Sequence, residues 1–331
     1  MIQFTLLSAI LFHCRGIEKQ THKQQNREGE LLTVQRNRKS RETGASTGSS
    51  FSPVDLKVID GSAVRKTKSY NDIDLNNWKD YNHVETGTLW TFPARAKGNG
   101  HKFNYHGNYI PQIAEQLYSR YTKPDDTVLD LFLGSGTSAI EAINMGRRCI
   151  GVELKQDLAS QVEDVVKNLG GRNIVDIISA DSASLEAKQG IEKALHSFGR
   201  QKAQFLVLHP PYADIIKFSN KIEDLSNCDS TEEFLEMFKA VAKNGYDLLE
   251  NGRYAALIIG DKYTKGELTP LGFLCMQKMN EIGFKTKSII IKNIEGNEIG
   301  KGRTGNLWRY RALAGGFYIF KHEYIMIFEK K

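Results

Sequence analysis

The four cysteines, Cys14, Cys149, Cys228 and Cys275, form no C-x-x-C pair. Their wide separation argues against a structural zinc centre and a disulfide framework, and fits a reducing compartment. No apolar run approaches the roughly 20 residues needed to cross a bilayer. The stretch from Ile2 to Phe12 is apolar, but no basic segment precedes it and no small-residue cleavage pattern follows, so neither anchor nor export signal is expected. The Gly-x-Gly-x-x-Gly fingerprint and the Gly-Lys-Ser/Thr of a P-loop are also missing, which makes a dinucleotide or a nucleoside triphosphate a poor fit. Charge of one sign is in only modest excess, 45 Lys and Arg against 39 Asp and Glu, for a net +6. That balance permits a nucleic-acid partner without demanding one.

With 40% hydrophobic and 25% charged residues, the composition is that of a soluble globular protein. Residues 13–50 are polar, and Arg15, Lys19, Lys23, Arg27, Arg36, Arg38, Lys39 and Arg41 outweigh Glu18, Glu28, Glu30 and Glu42. A Gly-Ala-Ser-Thr-Gly-Ser-Ser linker follows, so residues 1–75 read as a basic, mobile arm and residues 76–331 as the folded domain. The arm suits contact with phosphates, or is simply a solvated tail.

Apolar runs and helical periodicities alternate through that domain. Helical spacing covers 110–121, a strand 127–132, a helix 139–145, a strand 148–154, a helix 158–168, a strand 174–179, a helix 185–198 and a strand 204–208. The second half continues with helices over 231–249 and 271–282 and strands over 254–259, 288–292 and 323–328. Strands that alternate with helices at this spacing imply parallel β-α-β units. The expected fold class is therefore α/β: a Rossmann-like, mostly parallel, doubly wound sheet with helices on both faces.

The chain is organised around Val128 to Ser138, where an apolar strand ends at Asp130 and runs through Gly134 and Gly136 into a helix. Glycines there let a ligand approach the backbone. Acids end three successive strands, at Asp130, Glu153 and Asp181, and so fall on one rim of the sheet. The interval from Asp130 to Glu153 is close to the roughly 20 residues expected before an acid that grips ribose hydroxyls. Without a basic residue in the turn, the implied ligand is a neutral or cationic nucleoside. S-adenosylmethionine meets that description, with its ammonium at the Asp130 turn, its ribose at Glu153 and its adenine at Asp181. On the same rim stands His209-Pro210-Pro211-Tyr212. Its prolines lock the backbone and remove amide donors, leaving carbonyls to accept from an amino group, while Tyr212 offers a face for a flat base.

Asp130-Leu-Phe-Leu-Gly-Ser-Gly-Thr137, Gly151-Val-Glu-Leu154 and His209-Pro-Pro-Tyr212 resemble the cofactor and catalytic motifs of the amino-group DNA methyltransferases, which methylate N6 of adenine or N4 of cytosine. Phe103-Asn-Tyr-His-Gly-Asn-Tyr-Ile-Pro111 is similar to the segment that precedes the glycine turn in that family. The resemblance covers roughly residues 86–330. It implies an S-adenosylmethionine-dependent enzyme of DNA modification, of the kind found in restriction-modification. It implies cofactor contacts from Asp130, Phe132, Gly134, Ser135, Gly136, Thr137, Glu153, Asp181, Tyr105 and His106, and a catalytic set of His209, Pro210, Pro211 and Tyr212. No metal is implied. The tetrapeptide departs from the family in opening with His rather than Asp, Asn or Ser. To accept a hydrogen bond His209 must be neutral, so activity is expected to fall as pH drops through the ordinary imidazole pKa near 6.5.

Lys301, Arg303, Arg309, Arg311 and Lys321, interleaved with Trp308, Tyr310 and Phe317 and with no acid among them, read as a flexible basic loop within 293–322. Lys301, Arg303, Trp308, Arg309 and Arg311 are its candidate nucleic-acid contacts. The expected partner is double-stranded DNA with a base flipped into the site, and the expected location the cytoplasm, at the nucleoid if the source is bacterial. An RNA or tRNA base-amine methyltransferase, and a nucleic-acid-binding homologue with weakened catalysis, are the alternatives.

Overall fold

The computed structural model describes residues 70–101, 105, 107–264, 266–294 and 305–331. His106, Lys301, Arg303 and residues 1–69 of the expected arm lie outside them. Packing reaches back to Tyr70, ahead of the boundary expected at residue 76. The Tyr70 ring centroid lies 4.9 Å from that of Tyr254 and 6.3 Å from that of Tyr121.

Among the described residues, ten strands and seven α-helices follow in order: β1 (Leu89–Trp90), α1 (Pro111–Tyr121), β2 (Thr127–Asp130), α2 (Thr137–Asn144), β3 (Arg148–Glu153), α3 (Gln156–Asn168), β4 (Val175–Ser179), α4 (Leu185–Ser197), β5 (Ala203–Leu208), α5 (Thr231–Leu248), β6 (Leu249–Ile259), β7 (Lys262–Thr264), β8 (Glu267–Thr269), α6 (Leu271–Ile282), β9 (Lys285–Asn293), α7 (Gly305–Gly315) and β10 (His322–Glu329). Eight strands form one sheet in the order β1-β9-β10-β6-β5-β2-β3-β4. Every pairing in it is parallel except those of β10, which runs antiparallel to both β6 and β9. β7 and β8 make a separate two-stranded hairpin.

The strands are apolar on both faces because helices cover both faces. On one side Leu129, Ile150, Leu206 and Leu257 pack with Ile191, Phe234, Phe238 and Met279 of α4, α5 and α6. On the other, Val128, Phe205, Val207 and Ile258 pack with Ile113, Leu117, Ala139 and Val162 of α1, α2 and α3. Helix starts follow local chemistry. Pro111 opens α1, Ser184 accepts from the Ala187 N–H at α4, and Ser230 accepts from the Glu233 N–H at α5. Strand order reverses between β2 and β5, the point at which an open α/β sheet parts its loops to leave a crevice at the carboxyl ends.

Three expectations change. β6 begins at Leu249 rather than at 254, its first residue pairing with Ala203 of β5. The basic segment is not a loop along its length, since 305–315 forms α7. The glycines that suggested a loop flank this interval, whereas Asn306 to Ala314 contains no Gly or Pro and is rich in Leu, Ala and Arg, which favour helix. β9 begins at Lys285 rather than near 288, because its first residues, Lys-Thr-Lys, lie exposed while still pairing with β10.

Candidate active site

The crevice is an open cleft of about 840 Å³ at the carboxyl ends of four parallel strands. Leu131 to Gly134 and Thr137 line it after β2, Val152 to Lys155 at the end of β3, Asp181 and Ser182 after β4, and His209 to Pro211 after β5. Tyr105, Asn108, Tyr109 and Phe218 complete its walls. The cofactor motif and His209 to Pro211 thus share one cavity, while Tyr212 lies outside its lining.

The floor is built by the glycine turn. Gly134 and Gly136 have φ of 54° and 82°, the left-handed region that glycine reaches without strain. A Cβ on Gly136 would come within 2.5 Å of Val162 Cγ1, so α3 packs against the turn only because that side chain is missing. Both oxygens of Glu153 accept main-chain N–H groups, Oε2 from Gly134 at 2.9 Å and Oε1 from Lys155 at 3.0 Å. These bonds aim the carboxyl while leaving lone pairs toward the cleft. Burial nonetheless pushes its pKa up to about 7, with the Lys155 and Gly134 N–H groups pulling the other way. Asp181 turns one oxygen to the Ala183 N–H at 2.9 Å and lines the same wall.

Asp130 is placed differently from the cleft-facing acids. It is 1% exposed and does not line the cleft. Its Oδ1 accepts the Phe132 N–H at 2.9 Å, and its Oδ2 accepts the Ser138 hydroxyl. Ser138 Oγ in turn accepts from the Tyr109 hydroxyl, while Tyr118 donates to the Ser138 carbonyl. Burial raises the Asp130 carboxyl to about 6, against the hydrogen bonds that favour its charge. This network ties the glycine turn to the 105–110 segment, as does Asn108 donating to Ser135 Oγ. Ser135 and Gly136 shape the turn from outside the cleft lining, and Phe132 and Thr137 lie in it.

The tetrapeptide leaves β5 at the centre of the sheet. His209 lies edge-on between two tyrosines, its ring centroid 5.3 Å from Tyr109 and 6.0 Å from Tyr212. Burial lowers its pKa to about 4, outweighing the pull of Glu323. That shift favours a neutral imidazole at neutral pH, so a titration of His209 near 6.5 is not what its surroundings support. Tyr212 packs on Gly260, where a Cβ would approach its Cε2 to 2.9 Å, and its hydroxyl donates to Glu323 Oε2 at 2.9 Å. Ala213 then turns the chain with φ of 50°, a strained value for a residue with a side chain.

Beyond the tetrapeptide, Phe218 stacks on Tyr105 with centroids 6.0 Å apart, and Lys221 donates to the Leu154 carbonyl at 2.6 Å. The 213–230 segment thereby covers the cofactor side of the cleft, and Glu223 and Asp224 line it from there. Arg309 and Arg311 are exposed on α7, and the side chain of Trp308 lies outside the described residues. Sequence reasoning missed Glu323, which accepts from Tyr212 across 111 residues of chain, and Lys292, which donates to Glu323. Their signal was a lysine directly after the apolar run Ile289 to Ile291 and an acid directly before the run Tyr324 to Phe328, and the strand register that pairs them is not written in either segment. Among the described residues, no group of three or more His, Cys, Asp or Glu side chains is arranged to hold a metal ion, and no helix is long and apolar enough to cross a membrane.

S-adenosylmethionine fits the side chains present. The glycine turn is closed to any Cβ at Gly136, the doubly held Glu153 carboxyl suits a pair of hydroxyls, and no basic group in the turn asks for a phosphate.

An N6/N4 methyltransferase family model, described as DNA methylase, matches residues 2–164 and 203–331, and a model described as conserved hypothetical protein 95 matches residues 111–239. The chain is similar to the type II methyltransferase M1.MboII of Moraxella bovis, at 29% identity over 92 residues, covering 25% of this chain and 34% of that protein. It is also similar to the DNA adenine methyltransferase YhdJ of Escherichia coli (strain K12), at 30% identity over 125 residues, covering 33% of this chain and 42% of that protein. Each alignment spans less than half of the relative's own length. Among solved structures, TrmN from Thermus thermophilus aligns with a TM-score of 0.45 and 16% identity, over 68% of this chain and 50% of that one.

Proposed function

From the premise that the chain belongs to the N6/N4 DNA methylase family, we propose that it transfers a methyl group to the exocyclic amino nitrogen of a DNA base, N6 of adenine or N4 of cytosine. The observation that carries this reading is the single cleft that holds both the Gly134–Glu153 shelf and His209 to Pro211. S-adenosylmethionine, when bound, supplies an electrophilic methyl group on its sulfonium. Glu153 would hold the ribose hydroxyls, Asp181 the adenine edge, and Phe132 and Tyr105 the apolar walls.

The chain's own part is placement. A neutral His209 accepts one hydrogen of the target amino group and the Pro210 carbonyl the other, which leaves the nitrogen lone pair free. With its pKa at about 4, His209 is a weak base. It orients the amine, and the proton released after transfer goes to water. The Tyr212 ring would stack on the flipped base. Arg309 and Arg311 on α7, with Lys301, Arg303 and Trp308 before them, would contact the nucleic-acid backbone.

The test is methyl transfer from a labelled donor to duplex DNA and tRNA in competition, followed by digestion to nucleosides and identification by mass. N6-methyladenine or N4-methylcytosine from DNA is the expected product. Label confined to tRNA would overturn the substrate, and cofactor binding with no label in either nucleic acid would overturn the activity.

A further inference from the structure

The geometry points to Glu323 and Lys292 as a positioning pair that fixes where the Tyr212 ring stands. The Tyr212 hydroxyl donates to Glu323 Oε2 at 2.9 Å, and Lys292 Nζ donates to Glu323 Oε1 at 2.9 Å. The two charged residues are direct cross-strand partners of β9 and β10, and the side chains of Lys292 and Glu323 are only 6% and 9% exposed. Each carboxylate oxygen has its own donor, so the carboxylate has one orientation and the hydroxyl one place to go.

The rest of the ring is held as firmly. Gly260, just past the end of β6, leaves just the space the ring edge fills, and His209 meets the ring edge-on. The phenol is gripped at its hydroxyl by one strand, at its edge by the end of another and at its base by the locked tetrapeptide. The hydroxyl oxygen lies on the ring's long axis, so it is a swing of the whole side chain about χ1 that must break the bond to Glu323.

Stability is a poor reason for this arrangement. Burying an ion pair costs desolvation that the attraction often fails to recover, and an apolar pair of similar volume often holds a fold as well or better. The pair lies on the rim that carries the tetrapeptide, and one of its two oxygens is committed to Tyr212. Its consequence is geometric: the aromatic face is set before any base arrives, so base binding need not order it. This inference rests on the proposed function in treating Tyr212 as the platform for a base.

The experiment compares four variants. Tyr212→Phe keeps the ring and removes the bond. It should lower kcat about tenfold, the size of one hydrogen bond to a charged group, with the cofactor Kd unchanged. Glu323→Ala alone would strand a buried lysine, so the pair is replaced together as Lys292→Met with Glu323→Leu. That double variant should match the kcat loss of Tyr212→Phe, and adding Tyr212→Phe to it should cost nothing more. Lys292→Met with Glu323→Gln restores a neutral acceptor and should recover most of the rate. The χ1 rotamer of Tyr212, read from three-bond NMR couplings on ¹³C-labelled tyrosine and assigned by loss of the signal in Tyr212→Phe, should be single in the wild type and averaged in the Leu variant. Wild-type kcat in the Leu variant, a multiplicative loss in the triple variant, or equal rotamer averaging in wild type and Leu variant would each overturn the proposal. If the wild type methylates no nucleic acid, the functional reading fails, and the rotamer comparison alone decides the anchor.

Discussion

Tyr109 links the two halves of the cleft: its ring stands edge-on to His209 with centroids 5.3 Å apart and planes at 82°, and its hydroxyl bonds Ser138 Oγ, which bonds Asp130. The acid that ends β2 thus acts on the end of β5 through two side chains. Asp130→Ala would remove the acceptor of the Ser138 hydroxyl hydrogen and of the Phe132 N–H, at about 1–3 kcal/mol for each donor left unsatisfied. Urea denaturation should show this loss in the cofactor-free protein. A variant that binds cofactor weakly yet keeps wild-type stability would contradict the structural role of Asp130.

Desolvation draws the pKa of the half-buried His209 down to about 4, far below its ordinary value. Its native pKa is depressed, so the stability it contributes is complete above the unfolded value near 6.5 and is lost as pH falls toward about 4. The rate of methyl transfer should therefore be insensitive to His209 between pH 5.5 and 8. Comparing the pH profiles of the wild type and His209→Asn checks this, and a wild-type step near 6.5 that the variant lacks would refute it.

Glu153 shifts the other way, up to about 7. A carboxyl with a raised native pKa contributes stability that is full below its ordinary pKa and is lost as pH rises through the native one. Glu153→Gln should stabilise the cofactor-free protein at pH 8 and change it little at pH 5, as read from melting temperature. Cofactor affinity should move oppositely, falling in the variant at pH 8. Equal melting shifts at both pH values would show that the wild-type carboxyl is not held neutral by its surroundings.

The sheet and its helices were legible because both-face burial leaves continuous apolar strands and because glycine, proline and serine mark element ends. Leu271 to Ile282 was legible to the residue. The acids at Glu153 and Asp181 and the tetrapeptide were legible for the same reason: carboxyl ends of parallel strands must share a rim. What was not legible was how deep each group sits. The surroundings that bury Asp130 and His209 come from several distant segments, so neither the inward turn of Asp130 nor the low pKa of His209 could be read locally. The basic segment misled because its glycines were counted rather than located.

Arg309 and Arg311 are exposed on α7, with no acid in the helix to oppose them. Replacing both with Ala should weaken DNA binding without regard to sequence. The slope of log K against log salt should become shallower by about one for each phosphate that the variant no longer neutralises. Titration at several salt concentrations measures this. An unchanged slope would remove α7 from the DNA interface.

The sheet cannot be finished in the order in which it is written. β10 lies between β6 and β9, and its Glu323 meets a tyrosine synthesised 111 residues earlier. At ribosomal speeds of about 5–20 residues per second, Tyr212 waits roughly 6–20 seconds for its partner. A chain that stops short of β10 would present the glycine turn and the tetrapeptide but an unanchored ring, so the nascent protein acquires its full site only with the last strand.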